Sequence, residues 1–234
     1  MSANFVGAFL GIVITFGTTA LIDDIARHRM AKKAALITIA QLDNEIMQME
    51  YTVEEMRHKD SILSYVASRY PDKIDDISAD TIRMFWQYVK MPPVYLHDHS
   101  AENIFTGSIE MWKDFDDLEL LNSINECFAA KNHVLEFFYD INDYQRETFN
   151  KFSSAKRTTE YGDMWKLTEA CIAHPAVYDF IGTHRLYSTW LPIFVQLIKD
   201  ANQDNKQMAD VSDEELYSMF PSIYEDDDET EDIE

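Results

Sequence analysis

Glycine and proline are scarce in this chain, six of each in 234 residues. Gly7, Gly11 and Gly17 sit in one N-terminal apolar run, which leaves only Gly107, Gly162 and Gly182 for everything after it. Tight hairpins and glycine-rich phosphate loops need more glycine than that, whereas long helices need none. The scarcity therefore points to an all-α fold. Cysteine is also scarce: Cys127 and Cys171 have no C-x-x-C or other metal spacing and lie in apolar helical patterns, which reads as two buried thiols. Positive charge is in deficit, with 20 Lys and Arg against 42 Asp and Glu and a net charge of −22. A surface of that sign repels nucleic-acid backbones, so a DNA or RNA partner is excluded. The sequence also lacks G-x-S-x-G, a P-loop and H-E-x-x-H, and it has no internal repeat. No catalytic residue and no cofactor is assigned. Aromatics, by contrast, are plentiful at 14 Phe, 12 Tyr and 4 Trp, so the chain can build a real core and is not disordered.

One long uncharged run is present. Phe5 to Ile22, FVGAFLGIVITFGTTALI, has 18 residues and ends at Asp23-Asp24. At 1.5 Å per residue this is near the lower limit for crossing ~30 Å of hydrocarbon. A cleaved signal would need a basic leader and a small-x-small site. Met1 to Asn4 carries no charged side chain and Thr18-Thr19-Ala20 is a poor cleavage match, so the segment reads as a retained anchor in the lipid bilayer. Arg27, Arg29, Lys32 and Lys33 follow it and no basic residue precedes it, which sets the C-terminal part in the cytoplasm. Gly7, Gly11, Thr15 and Thr18 share one helical face. Small residues at that spacing permit close helix association and a homo-oligomer; the plainer reading is the ordinary Gly and Thr content of membrane helices.

Beyond the basic flank, Ile39, Leu42, Ile46, Met49, Val53 and Met56 recur in steps of three and four, with Leu63 extending the stripe and Asp60 interrupting it. This is a heptad pattern with Ile39 at a and Leu42 at d. Counted back, the same register puts Gly11 and Thr18 at a and Gly7 at d. One helix from Phe5 to Arg69, stopped by Pro71, would be roughly 100 Å long. Two readings of the stripe stand. A dimeric coiled-coil stalk would place His28 and Lys32 on its seam and set Glu45 against the partner's Glu50. Both features favour the alternative, in which the stripe packs on later helices of the same chain.

The remainder is helical in pattern. Ser78 is the expected N-cap of a helix through Phe85, Trp86 and Val89 that ends at Met91-Pro92-Pro93. A short helix follows, up to Thr106-Gly107. Leu118 to Phe152 is one long helical pattern with a potential break at Ala130 to Asn132, and Tyr161 to Ile172 is another. Pro175 suits a helix N1 position, and Pro192 is expected to kink or restart the run from Ala176 to Ile198. Leu186 to Ile198 is nearly apolar but too short to span a bilayer; it reads as a core helix, with an interfacial helix as the alternative. Ser212 and Glu215 form a capping box. Glu225 to Glu234 holds eight acidic residues in ten, a solvated tail that could dock a basic protein partner. The expected domains are therefore an anchor with its basic flank (1–33), a helical domain (34–221) and an acidic tail (222–234).

His97, Asp98 and His99 form the best metal candidate, two imidazoles and a carboxylate in one loop, although alternate residues converge on one ion only in extended backbone. His133 and Glu136 share a helix face in the reverse order of the Glu-x-x-His pair of di-iron bundles.

The stretch GAFLGIVITFGTTALIDDIARHRMAKKAALITIAQLDNEI resembles the start of an uncharacterised family of bacterial single-pass membrane proteins. Members carry a Gly-containing apolar anchor, a basic patch and a long helix with a Leu-x-x-Glu-Ile-like pattern, here Leu42, Glu45 and Ile46. FTGSIEMWKDFDDLELLNSINECF, Phe105 to Phe128, is also similar to their pattern, and the two stretches cover about a quarter of the chain. The chain departs from the family in lacking the basic N-terminus many members show. The resemblance implies architecture only, and no activity; the location expected of the anchored chain is the bacterial inner membrane. Three functions are thus carried forward: a membrane-anchored helical scaffold, sensor or assembly subunit without catalysis; a membrane-tethered metal-dependent enzyme using His97 and His99; and a membrane-acting effector in which Leu186 to Ile198 inserts.

Overall fold

In the computed structural model the described residues are 3–91, 100–107, 112, 113, 115, 117–155 and 163–224, with side chains described at all of them except 3–24, 100 and 153–155. Among these residues every regular element is helical. Helix α1 runs Ala3–Ser68 without interruption, and a cis Tyr70–Pro71 peptide follows it. A 3-10 turn at Ile74–Asp76 leads to α2, Ala79–Lys90, then α3, Ser100–Gly107. Next come α4, Leu118–Ala155, α5, Met164–Ile172, and α6, Pro175–Met208; α7, Asp213–Met219, and α8, Pro221–Tyr224, close the order.

The local signals act as helix physics requires. Ser78 Oγ accepts from the Thr81 amide, and Asp163 accepts from the Trp165 amide at the head of α5. Ser212 and Glu215 make both bonds of the capping box. At the end of α6 the Val211 amide reaches the Lys206 carbonyl and the Asp210 amide reaches that of Gln207, with Asp210 at φ 52°. This is a Schellman closure with Asp in the left-handed position.

The helix is continuous at the potential break in α4, and in α6 it does not restart at Pro192. Helix α4 passes through Ala130 to Asn132 because Lys131, polar in sequence, is fully buried there and bonded to Glu45. Helix α6 passes through Pro192. A proline inside a helix costs about 3 kcal/mol. Leu191, Val195 and Ile198, all buried on either side of it, offset that cost.

Residues 34–221, read from sequence as one domain, are distributed over two compact units, and α1, α4 and α6 contribute to both. The first unit comprises Met1–Asn44, Asp98–Glu126 and Asn202–Glu234. Its buried residues include Ile39 and Leu42 of α1, Ile124 of α4 and Leu216 of α7. Asp43 organises its polar side: it accepts from Asn202 Nδ2 at 2.8 Å and Tyr224 OH at 3.2 Å, and it pairs with Lys206 at 2.7 Å. Burial pulls the Lys206 ammonium down, but Asp213 and Asp43 more than offset this and hold it above its ordinary range.

The second unit comprises Glu45–His97 and Cys127–Ala201. Its core gathers Ile46, Met49, Val53 and Met56 of α1 with Phe85 and Trp86 of α2, Phe138 and Phe152 of α4, Cys171 and Ile172 of α5, and Phe180 and Leu191 of α6. The heptad stripe from Ile39 to Met56 is buried inside the chain, none of its six side chains more than 4% exposed. The two carboxylates that a stalk would oppose each have a cation of their own chain: Glu45 has Lys131 at 2.6 Å and Glu50 has Lys199 at 2.7 Å.

Candidate functional site

The sequence-predicted positions divide into those that are described and those that are not. His97, Asp98 and His99 lie outside the described residues, as do the side chains of Gly7, Gly11, Thr15 and Thr18 and the acidic tail from Glu225. His133 and Glu136 meet at 3.3 Å on an exposed face, a local pair. His174 packs edge-on against Phe152. Among the described residues no group of three His, Cys, Asp or Glu side chains could hold a metal ion, and no helix is long and apolar enough to cross a membrane. Both cysteines are buried, and burial pushes the Cys171 thiol up to about 12.

Two features of the second unit stand out. The first is a buried polar cluster. Lys59 Nζ donates to Gln145 Oε1 and to the Met91 carbonyl, and Gln145 Nε2 donates to the Tyr88 and Val89 carbonyls. Together the two side chains satisfy carbonyls at the C-terminal end of α2, where no helical amide is left to do so. Burial pulls the Lys59 ammonium down to about 7, against an opposing effect of Glu55. One residue further on, Asp60 Oδ1 lies 3.8 Å from His184 Nδ1, too long for a hydrogen bond, and neither ring nitrogen of this fully buried histidine has a hydrogen-bond partner among the described residues. Burial holds His184 below its ordinary range; the Asp60 carboxylate opposes that and Lys59 adds to it. The Lys59 and Gln145 bonds close on the fold itself, whereas the His184 ring is held by packing.

The second feature is open to solvent. Helix α6 buries Leu191, Val195 and Ile198, and its opposite face is also apolar. Leu186 (55% exposed), Trp190 (51%), Ile193 (49%) and Leu197 (59%) follow one another at helical spacing, and Phe194 flanks them. Phe137 of α4 stacks on Phe194 at 5.9 Å and meets Tyr187 edge-on at 5.8 Å. Between the two helices lies a groove of about 260 Å³ lined by Phe137, Leu186, Tyr187, Trp190, Leu191 and Phe194. Sequence reasoning took Leu186 to Ile198 as a core helix; it is core on one face only. The available signal was a run in which both faces of the helix are apolar, where a helix lying on a core needs only one.

No protein-family model, no curated protein and no solved structure matches this chain.

Proposed function

We propose that the chain is a membrane-anchored, non-catalytic helical scaffold or assembly subunit that recruits a partner through the exposed apolar face of α6. The observation that carries this reading is that face. Singly exposed apolar residues are ordinary, but a contiguous stripe with a bulky aromatic at its centre is the usual mark of an interaction surface. Burying a fully exposed Leu or Ile side chain is worth about 1.5–3 kcal/mol, and these side chains are about half exposed, so a docked partner would recover roughly half of that at each. The buried Lys59–Gln145 pair supports the non-catalytic half of the reading, because its polar atoms bond to each other and to carbonyls at the end of α2.

The anchor at Phe5 to Ile22, the basic flank from Arg27 to Lys33 and the resemblance to bacterial single-pass membrane proteins support placement in a bacterial inner membrane with the helical units in the cytoplasm.

Chemical crosslinking of native membranes tests the proposal. The wild-type chain is expected to give discrete adducts, and the double variant Trp190→Asp, Phe194→Asp is expected to lose them while staying in the membrane fraction. Monomer alone in both samples would overturn the scaffold reading, and loss of the wild-type chain on carbonate washing would overturn the anchor.

A further inference from the structure

Helix α4 carries a second pattern beside the groove. Glu136, Asp140, Asp143 and Glu147 recur at i, i+4, i+7 and i+11 and all are exposed. Asp140, Asp143 and Glu147 line an adjoining groove of about 310 Å³, and Tyr187 is common to its wall and to that of the apolar groove. Asp140 is close enough to act on the Tyr187 hydroxyl, which burial and that carboxylate together hold above its ordinary range. We propose that this apolar groove and its acidic border form one docking site for a basic amphipathic helix of a partner protein, with bulky apolar side chains entering beside Trp190 and Phe194 and Lys or Arg side chains lying along Asp140. This rests on the reading of α6 as a docking face and adds the chemistry of what docks.

Charge selects the occupant. The cations beside the stripe each have a carboxylate of α1: Arg185 lies 3.9 Å from Asp60, Lys199 lies 2.7 Å from Glu50, and Arg57, which shares a groove with Ile193 and Leu197, lies 3.6 Å from Glu54. On α4, Arg146 pairs with Asp143 and Lys151 lies 3.9 Å from Glu147, while Asp140 forms no ion pair among the described residues. The border of the groove is therefore net acidic in a chain of net charge −22. A second copy of this chain would bring an identical acidic ridge against it. An anionic lipid surface would meet the same repulsion. A helix with an apolar face and a cationic flank satisfies both halves of the site and matches helix-in-groove recognition, in which anchors at i, i+3 or i+4 and i+7 fill the pocket.

The test uses the full chain in zwitterionic lipid nanodiscs, empty discs as the blank, and three labelled helical peptides of equal length composed of Leu/Lys, Leu/Ser and Leu/Glu. Binding is read by fluorescence anisotropy. The Leu/Lys peptide is expected to bind about tenfold more tightly than Leu/Ser, Leu/Glu should bind least, and added salt should narrow the differences. Trp190→Ala should weaken Leu/Lys binding about thirtyfold, the loss expected of a central aromatic anchor. Asp140→Asn should narrow the Leu/Lys over Leu/Ser preference several-fold and leave Leu/Ser binding unchanged. Trp190 and Asp140 are both exposed, and unchanged melting curves would show that the variants fold. Leu/Lys binding that survives Trp190→Ala would overturn the groove as its site. Equal binding of Leu/Lys and Leu/Ser, lost in Trp190→Ala, would overturn the basic partner while leaving the docking face standing. Quenching of the Trp190 contribution by brominated acyl chains in the discs, measured against Trp190→Phe, would show a lipid occupant and overturn the proposal.

Discussion

The pair Glu45–Lys131 offers the sharpest perturbation. Its atoms are 2.6 Å apart and both side chains are wholly buried. Removing the cation with Lys131→Met leaves a carboxylate in the interior, and loss of one partner of a buried pair costs about 3–5 kcal/mol. That is a large share of the ~5–15 kcal/mol that holds a domain folded. The double variant Glu45→Leu, Lys131→Met removes both charges at nearly the same volume and should recover most of the loss, ending close to wild type or above it. Urea unfolding of the full chain, followed by helical circular dichroism, measures the four corners of the cycle; the single variants should shift the midpoint strongly and the double variant little. A cost below about 1 kcal/mol for Lys131→Met would refute the reasoning. Glu45 would then not depend on Lys131 for its place in the interior.

Three further outcomes follow from the same packing. His184 binds its proton less readily folded than unfolded, so the unfolded chain takes up more protons just below pH 6.5 and stability should fall as the pH drops through that region; His184→Leu should flatten this acid limb in a series of urea midpoints, and an unchanged slope would count against it. Gln145→Leu strips the Tyr88 and Val89 carbonyls and Lys59 of a partner and should cost about 2–4 kcal/mol by the same denaturation, with a loss under 1 kcal/mol arguing that water replaces it. Asp43→Ala removes the acceptor shared by Asn202, Lys206 and Tyr224 and should speed proteolysis around Tyr224 markedly, whereas Tyr224→Phe, which deletes one hydrogen bond worth about 1 kcal/mol, should do so only slightly; equal effects would contradict a hub at Asp43.

Local signals were the legible part of this fold. Pro71 after a long helical pattern, Ser78 ahead of Phe85 and Trp86, Pro175 at a first turn and the Ser212–Glu215 box each depend on residues within a few positions, and each stands where local physics puts it. What depended on distant partners was not legible. Lys131 resembled a helix break because its neutralising carboxylate lies 86 residues away. Pro192 was expected to kink or restart its helix, because the packing of Leu191 and Val195 that carries the helix through it cannot be read from a proline. The two faces of α6 were indistinguishable in sequence, both being apolar, and only the fold shows which one the core uses. Nothing local marks the α4 carboxylates Asp140, Asp143 and Glu147, which lie beside a groove only because the fold brings Tyr187 to them.

The most direct measurement is photo-crosslinking from position 190 of the full chain in its native membrane, with the same photoreactive side chain at exposed Asp179 of α6 as the control. Discrete protein adducts from position 190, absent from position 179 and competed away by the Leu/Lys helix, are the predicted result. Adducts to lipid alone, or the same pattern from both positions, would contradict a docking face on α6.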